Sequence, residues 1–283
     1  MNVLSNISLF GYADDISAAI TALLEADIQT SIDVFLEEME EYCSAAGLVM
    51  NPDKSEVVMF RRGQQSQVIT AGGQPESGTV RLLGIVVDKD YKFDTHTREI
   101  EAAMNYRTAK IANVARYLPK WRLKEVLEAV VLSKARYAME IWCKTHKSQV
   151  RIQKAMNNAL RLLHNTEKDL VAKMLKEAKW LNAANLTRLC QCATLKRIMM
   201  TRNSPETFKM ILRGFQHRYG TRFSDVVADY QPRSAIWSTG FLSQSMKTYN
   251  DLKLNARSFE DEEEWKLVVQ AELCDKYGNE NLY

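Results

Sequence analysis

Residues 8–20 read SLFGYADDISAAI, and the fold of this stretch decides what the rest of the chain can be. Two apolar runs flank adjacent carboxylates, Asp14 and Asp15. Aspartate favours turns because its side chain bonds the nearby backbone, so residues 3–20 are predicted to form two short strands around a tight turn. Two adjacent carboxylates cannot both stay ionised and close together unless water or a cation compensates them. The plain reading is a solvated hairpin turn, and the sharper one is a cation site. Magnesium suits the sharper reading, since it takes carboxylate oxygens in octahedral geometry and keeps positions open for phosphates. Sites that join nucleotides hold two such ions, and that requires at least one more carboxylate from another strand. The chain contains no GxxxxGK[ST] stretch, so a Walker-type reading of the apolar strand lacks its partner.

Working outward, apolar residues recur in steps of three and four at Ile28, Ile32, Phe35, Leu36, Met39, Tyr42, Cys43 and Ala46. They predict a helix over about residues 25–46 with one buried stripe, closed by Gly47. A loop, Asn51-Pro52-Asp53-Lys54, then leads into a predicted strand at 56–60. Gly72-Gly73 supply the turn of a hairpin or meander over 67–87. Residues 80–87 read as a run with Gly84 inside it, where glycine marks a bulge or a close backbone approach. From about residue 96 the period changes to 3.6. Helices are predicted over 97–117, 120–143, 147–163, 167–180, 183–202 and 205–213. A final helix carrying Trp265, Leu267, Val268, Val269 and Leu273 follows an acidic run, Glu260 to Glu264. The fold class is therefore α+β, with a β-rich start and a helical remainder. Trp121, Trp142, Trp180, Trp237 and Trp265 read as packing anchors of these helices.

The length of 283 residues, with 46% hydrophobic and 26% charged, suits about two domains. The net charge of +3 conceals an asymmetry: residues 1–60 carry −10, residues 61–225 carry +17 and residues 226–283 carry −4. That pattern suggests polyanion binding beside a site that concentrates cations. Lysine-rich solvated helix faces explain it equally well. The cysteines Cys43, Cys143, Cys190, Cys192 and Cys274 are scattered, which reads most simply as a reducing, intracellular setting. Cys190 and Cys192 point to different faces of a helix and make a poor metal pair. The four histidines, His96, His146, His164 and His217, show no ligand spacing. No signal peptide is visible, and no apolar run approaches the ~18 residues that read as a transmembrane span, so no membrane partner is expected.

The order of these features resembles the reverse transcriptases of non-LTR (LINE-like) retrotransposons, with jockey-type elements the nearest look. Tyr12-Ala13-Asp14-Asp15 matches the catalytic turn of that family. Gly47-Leu48 with Asn51, Pro52, Lys54 and Ser55 matches its lysine-bearing loop. Leu82-Leu83-Gly84-Ile85 with Asp88 matches its primer-gripping hairpin. Downstream, Tyr117-Leu118-Pro119, Val131-Leu132-Ser133, Tyr137, Trp142, Ile152-Gln153-Lys154 and Asn158-Ala159-Leu160-Arg161 resemble its helical thumb and connection. Near the end the family usually shows Leu-Pro where this chain has Leu252-Lys253.

The resemblance implies an incomplete polymerase palm (β-hairpin, helix, β-hairpin) over 1–95, a helical thumb and connection over 96–213 and a C-terminal extension over 214–283. It implies that Asp14 and Asp15 are catalytic metal ligands for Mg²⁺. Lys54 would lie near the outgoing pyrophosphate as charge stabiliser or general acid. Tyr12, Leu83 and Gly84 would contact the primer, with an RNA template and a DNA primer as partners and the nucleus as the location. The family's fingers, an earlier palm strand with its own metal-binding Asp and a glycine-rich template segment normally precede the catalytic turn. The chain is therefore expected to be a C-terminal part of such a polymerase, inactive alone. The alternatives are a non-catalytic, basic nucleic-acid-binding module and a remnant without function.

Overall fold

A computed structural model of the chain describes residues 7–61, 68–166, 170–200, 240–252 and 261–279. The expectations for the helix at 205–213, for His217 and for Trp237 lie outside them. The chain is α+β and forms two compact units, Met1–Phe93 and Asp94–Tyr283.

The first unit opens with β1 (Ile7–Tyr12) and β2 (Asp15–Ile20), paired antiparallel from Ile7↔Ile20 to Tyr12↔Asp15. Alternation along the strands gathers Ile7, Leu9, Gly11, Ile16, Ala18 and Ile20 on one face. Only the base of that face is covered. Ile20 packs against a small core of Ile32, Ile69 and Ala71, while Leu9 and Ile16 stay 56% and 53% exposed.

Helix α1 (Glu25–Ala45) follows, with Glu25 and Asp27 in its first turn, where the helix dipole favours acids. It ends as the sequence predicts. Gly47 is left-handed at φ 72°, its N–H donates to the Ser44 carbonyl and the Leu48 N–H donates to the Cys43 carbonyl at 2.8 Å. These two bonds form a Schellman cap. The predicted stripe is only partly covered, with Ile32 and Cys43 buried, Ile28, Phe35, Leu36 and Met39 half-buried, and Tyr42 exposed.

Residues 56–60 do not form the expected strand. Among the described residues they make one isolated bridge, Val58↔Ser77. Beyond them come two small hairpins: β3 (Thr70–Ala71) with β4 (Gln74–Pro75) around Gly72-Gly73, and β5 (Thr79–Leu82) with β6 (Ile85–Asp88). Gly84 is therefore a turn residue rather than a glycine inside a strand. Among the described residues the three two-stranded sheets share no hydrogen-bonded edge.

Polar clamps join these pieces. The Gln29 side chain accepts from the Thr70 N–H at 2.8 Å and donates to the Thr70 carbonyl at 3.0 Å. Arg61 reaches Glu25 and Glu76, each at 2.8 Å, with its side chain only 15% exposed. The hydrogen bond that Arg61 donates to Glu76 is the main cause that holds its guanidinium above its ordinary, already high pKa.

The second unit is helical: α2 (Asp94–Ala115), α3 (Lys120–Leu127), α4 (Ser133–Arg136), α5 (Met139–Trp142), α6 (His146–His164), α7 (Val171–Ala178), α8 (Ala183–Met200), α9 (Phe241–Asp251) and α10 (Glu262–Tyr277). The expected helix at 120–143 is broken. Residues 128–132 form a π-helical turn, and Ala138 adopts a left-handed φ of 48° before α5. The freed polar groups find partners, since Arg107 donates to the Val130 carbonyl at 2.7 Å and the Trp142 indole donates to the Tyr137 carbonyl at 2.9 Å.

Helix α6 is the central element. A reciprocal Thr145–Ser148 capping box starts it, and Ile152, Ala155, Met156, Ala159 and Leu160 are buried along it. Three pairs climb α2 and α6 together, so the helices run parallel: Asp94–Lys147 at 2.7 Å, Glu101–Arg151 at 2.8 Å and Asn105–Asn158 at 2.9 Å. A separate cluster packs Cys192 and Leu195 of α8 with Met246 and Tyr249 of α9 and Trp265, Val269 and Leu273 of α10. The acidic run before α10 is a cap, in which Asp261 accepts from the Glu263 N–H at 2.7 Å and three glutamates occupy the positive helix end.

Trp142, Trp180 and Trp265 are buried anchors, as the sequence predicts, but Trp121 is 57% exposed. It lies two residues before the buried Leu123, on the opposite side of α3.

Replacing Arg61 with Met leaves Glu25 and Glu76 sharing a half-buried site without their cation. The expected cost is about 3 kcal/mol in the first unit, read as a roughly 100-fold loss of hydrogen-exchange protection at the Thr70 amide. Unchanged protection would show that the clamp carries no stability.

Candidate functional site

The sequence singles out Tyr12, Asp14, Asp15, Lys54, Leu83 and Gly84, and all six stand at turns of the first unit. The β1–β2 turn has two residues, Ala13 and Asp14, with Asp15 opening β2 directly across from Tyr12. Ala13 has φ 54° and Asp14 is not left-handed, which is the pattern of a type II′ turn. That turn usually places glycine where this chain has alanine. Asp14 and Asp15 are solvent-exposed, and Tyr12 is 68% exposed. Tyr12, Asp15 and the 62%-exposed Phe10 share one face of the hairpin.

Lys54 ends a short 3-10 turn over Pro52–Lys54. Asn51 builds that turn, because its side chain accepts from the Asp53 N–H at 3.2 Å and its carbonyl accepts from the Lys54 N–H at 3.1 Å. Asparagine does this readily, and it explains why the Asn-Pro-x-Lys order presents the lysine to solvent. Leu83 and Gly84 are the two central residues of the β5–β6 hairpin, with φ 46° and 82°. Both positive angles define a type I′ turn. Leucine is uncommon in the left-handed region, so two of the candidate turns each hold a non-glycine residue there.

The structure joins two of the three features through residues the sequence reading passed over. Just after Lys54, the Glu56 carboxylate accepts from the Arg81 N–H at 3.1 Å, and the Val57 carbonyl accepts from the Ser77 N–H at 2.8 Å. The lysine loop is thereby tied to the strand that leads into Leu83-Gly84. Arg61 was also missed. Its signal was present, because residues 1–60 hold one Lys or Arg against eleven acids, so the next cation had acids to meet. Asp88 serves the fold, accepting from the N–H groups of Asp90, Lys92 and Phe93 and so closing the turn before α2.

The donor set limits the metal chemistry. Among the described residues no group of three or more His, Cys, Asp or Glu side chains is placed to hold an ion. Asp14 and Asp15 supply two exposed carboxylates, and Mg²⁺ is a cation that can bind through one or two carboxylates and complete its shell with water and phosphate oxygens. They do not fit the two-ion arrangement of nucleotide-joining enzymes. Burial pushes the thiols of Cys143, Cys190 and Cys192 up to about 12, which keeps these three protonated. His96 packs edge-on against Trp142 at 5.2 Å, as a core residue. None of the described helices is long and apolar enough to cross a membrane.

The chain is similar to a probable RNA-directed DNA polymerase from transposon X-element of Drosophila melanogaster. The two are 24% identical over an aligned span of 177 residues, which takes in 57% of this chain and 19% of that protein. No family model matches the chain, and no solved structure matches it.

The type I′ turn makes a direct prediction. Gly84→Ala places a Cβ in the left-handed region and should lower the unfolding free energy by about 1–2 kcal/mol, seen as a lower urea midpoint at unchanged slope. A neutral substitution would contradict the turn.

Proposed function

We propose that this chain works on nucleic acid as part of an RNA-directed DNA polymerase, and that it does not polymerise by itself. The observation that carries the reading is the exposed Asp14–Asp15 pair at a two-residue hairpin turn. The similarity to a transposon polymerase supports it. In this reading Asp14 and Asp15 would be the residues to hold a hydrated Mg²⁺, which binds through one or two carboxylates and phosphate oxygens. Lys54 offers its charge to the departing pyrophosphate. Leu83 and Gly84 let the primer backbone come close, since glycine leaves no side chain in the way. The helical second unit, with its many exposed Lys and Arg side chains, takes the part of a thumb that grips template and primer. Bound Mg²⁺ would stabilise charge developing on phosphate oxygens. With two carboxylates instead of the larger set that two ions need, the chain alone falls short of catalysis.

A second reading, a non-catalytic nucleic-acid-binding module, is favoured by the +17 charge of residues 61–225. Both readings share the same ligand and differ in whether the aspartate turn matters.

Incorporation of deoxynucleotides on a primed RNA template with Mg²⁺ tests the proposal. The expected result is no extension by the chain alone, together with primer–template binding that weakens steeply with salt. Metal-dependent extension that Asp14→Asn abolishes would show the site to be complete. Undetectable binding at low salt would overturn the nucleic-acid reading itself.

A further inference from the structure

The corner where α2 passes into α3 carries a feature that the aspartate turn does not explain. Residues 102–124 contain six Lys and Arg residues and no acid. In the same stretch three aromatic side chains face solvent: Tyr106 is 64% exposed, Tyr117 70% and Trp121 57%, with Val114 at 48% between them. The buried side of α2 runs through Ile100, Met104, Thr108 and Ile111. Tyr106, Lys110 and Asn113 fall on the opposite side, at steps of four and three. Tyr117 follows in the turn after α2, and Trp121 stands in the first turn of α3.

Each ring has its own cation. Lys110 lies 5.4 Å from the Tyr106 ring centre, Arg116 lies 4.7 Å from that of Tyr117 and Arg122 lies 4.2 Å from that of Trp121. With its cation in place each of the three side chains remains more than half exposed. We infer that this corner is a stacking platform for an unpaired stretch of nucleic acid, with bases on the rings of Tyr106, Tyr117 and Trp121 and phosphates on Lys110, on Arg116 and on Arg122, which would exchange its 2.8 Å pair with the exposed Glu125 for a phosphate. Single-strand sites combine a positive track with aromatic faces in this way, and every base offers a face to stack. A duplex keeps its bases stacked inside and would use the cations while leaving the rings idle. An anionic lipid surface calls for a broad continuous apolar face, whereas here the rings alternate with charges. The inference rests on the reading of the chain as a nucleic-acid protein. It is independent of the metal turn.

The test uses the full chain and fluorescence anisotropy, with a labelled single-stranded RNA of about 12 nucleotides, a blunt duplex of the same length and vesicles rich in phosphatidylserine. The triple variant Tyr106→Ala, Tyr117→Ala, Trp121→Ala should bind the single strand at least about tenfold more weakly and the duplex less than about twofold more weakly. The triple variant with Phe at the same positions keeps the rings and should bind like the parent chain, which separates stacking from a folding defect. Replacing Lys110, Arg116 and Arg122 with Gln should flatten the salt dependence for the single strand by about two units of slope. Equal weakening on single strand and duplex would overturn the platform, as would unchanged single-strand binding or loss of binding in the Phe variant. Vesicle binding that disappears with the rings while RNA binding persists would replace it with a lipid contact. A chain that binds single strands here but fails at the aspartate turn keeps this inference and loses the polymerase reading. A chain that binds no nucleic acid at low salt loses both.

Discussion

Arg61 is the side chain on which the first unit depends. It sits on the segment that follows the Lys54 turn, and it holds Glu25 at the start of α1 and Glu76 just ahead of the β5–β6 hairpin. Helix α1 in turn follows the β1–β2 hairpin that presents Asp14 and Asp15. The three pieces of chain that carry the candidate turns thus converge on one guanidinium. Among the described residues they share no sheet, and a two-stranded hairpin covers little apolar surface by itself. The accompanying core is small, with Ile32, Ile69 and Ala71 at its centre. Arginine is well suited to the task, since its planar fork can serve two carboxylates at once.

How much of this was legible in the sequence varied with the range of the forces involved. The aspartate turn, the α1 helix and its Gly47 cap follow from local propensity and appear where the sequence predicts them. Local propensity did not show the β5–β6 turn, because a leucine inside an apolar run signals strand rather than left-handed backbone, and there the hairpin was expected only from the family resemblance. The break in the 120–143 helix was hidden for a related reason. Buried positions Leu123, Leu127, Val131, Ala135 and Met139 keep the helical step across the π-helical turn and across Ala138, so the periodicity carries no trace of either. The exposure of Trp121 could have been seen, because it falls two positions from the buried Leu123 and the two cannot share a helix face. The clamps through Glu56, Arg61 and Ser77 join residues far apart in sequence, and only the folded chain reveals those pairs.

The two units divide the electrostatic work. Residues 1–60 are strongly acidic, and Glu37, Glu38, Glu40 and Glu41 extend that field along the outer face of α1. Such a field attracts cations and repels phosphates. The helical unit has the opposite character, and at the α2–α3 corner it pairs cations with open aromatic faces. The charge asymmetry of the sequence thus falls on two different units, acidic in the first and basic in the second.

The central claim is that the Asp14–Asp15 turn is a metal-binding turn that works with a phosphate-bearing ligand. Paramagnetic broadening of backbone amide resonances by substoichiometric Mn²⁺, with and without a nucleoside triphosphate, tests it directly. The account predicts broadening centred on the amides of Ala13 to Ile16, stronger with the triphosphate and lost in Asp14→Asn. Broadening confined to the glutamate face of α1, or unchanged by Asp14→Asn, would contradict it.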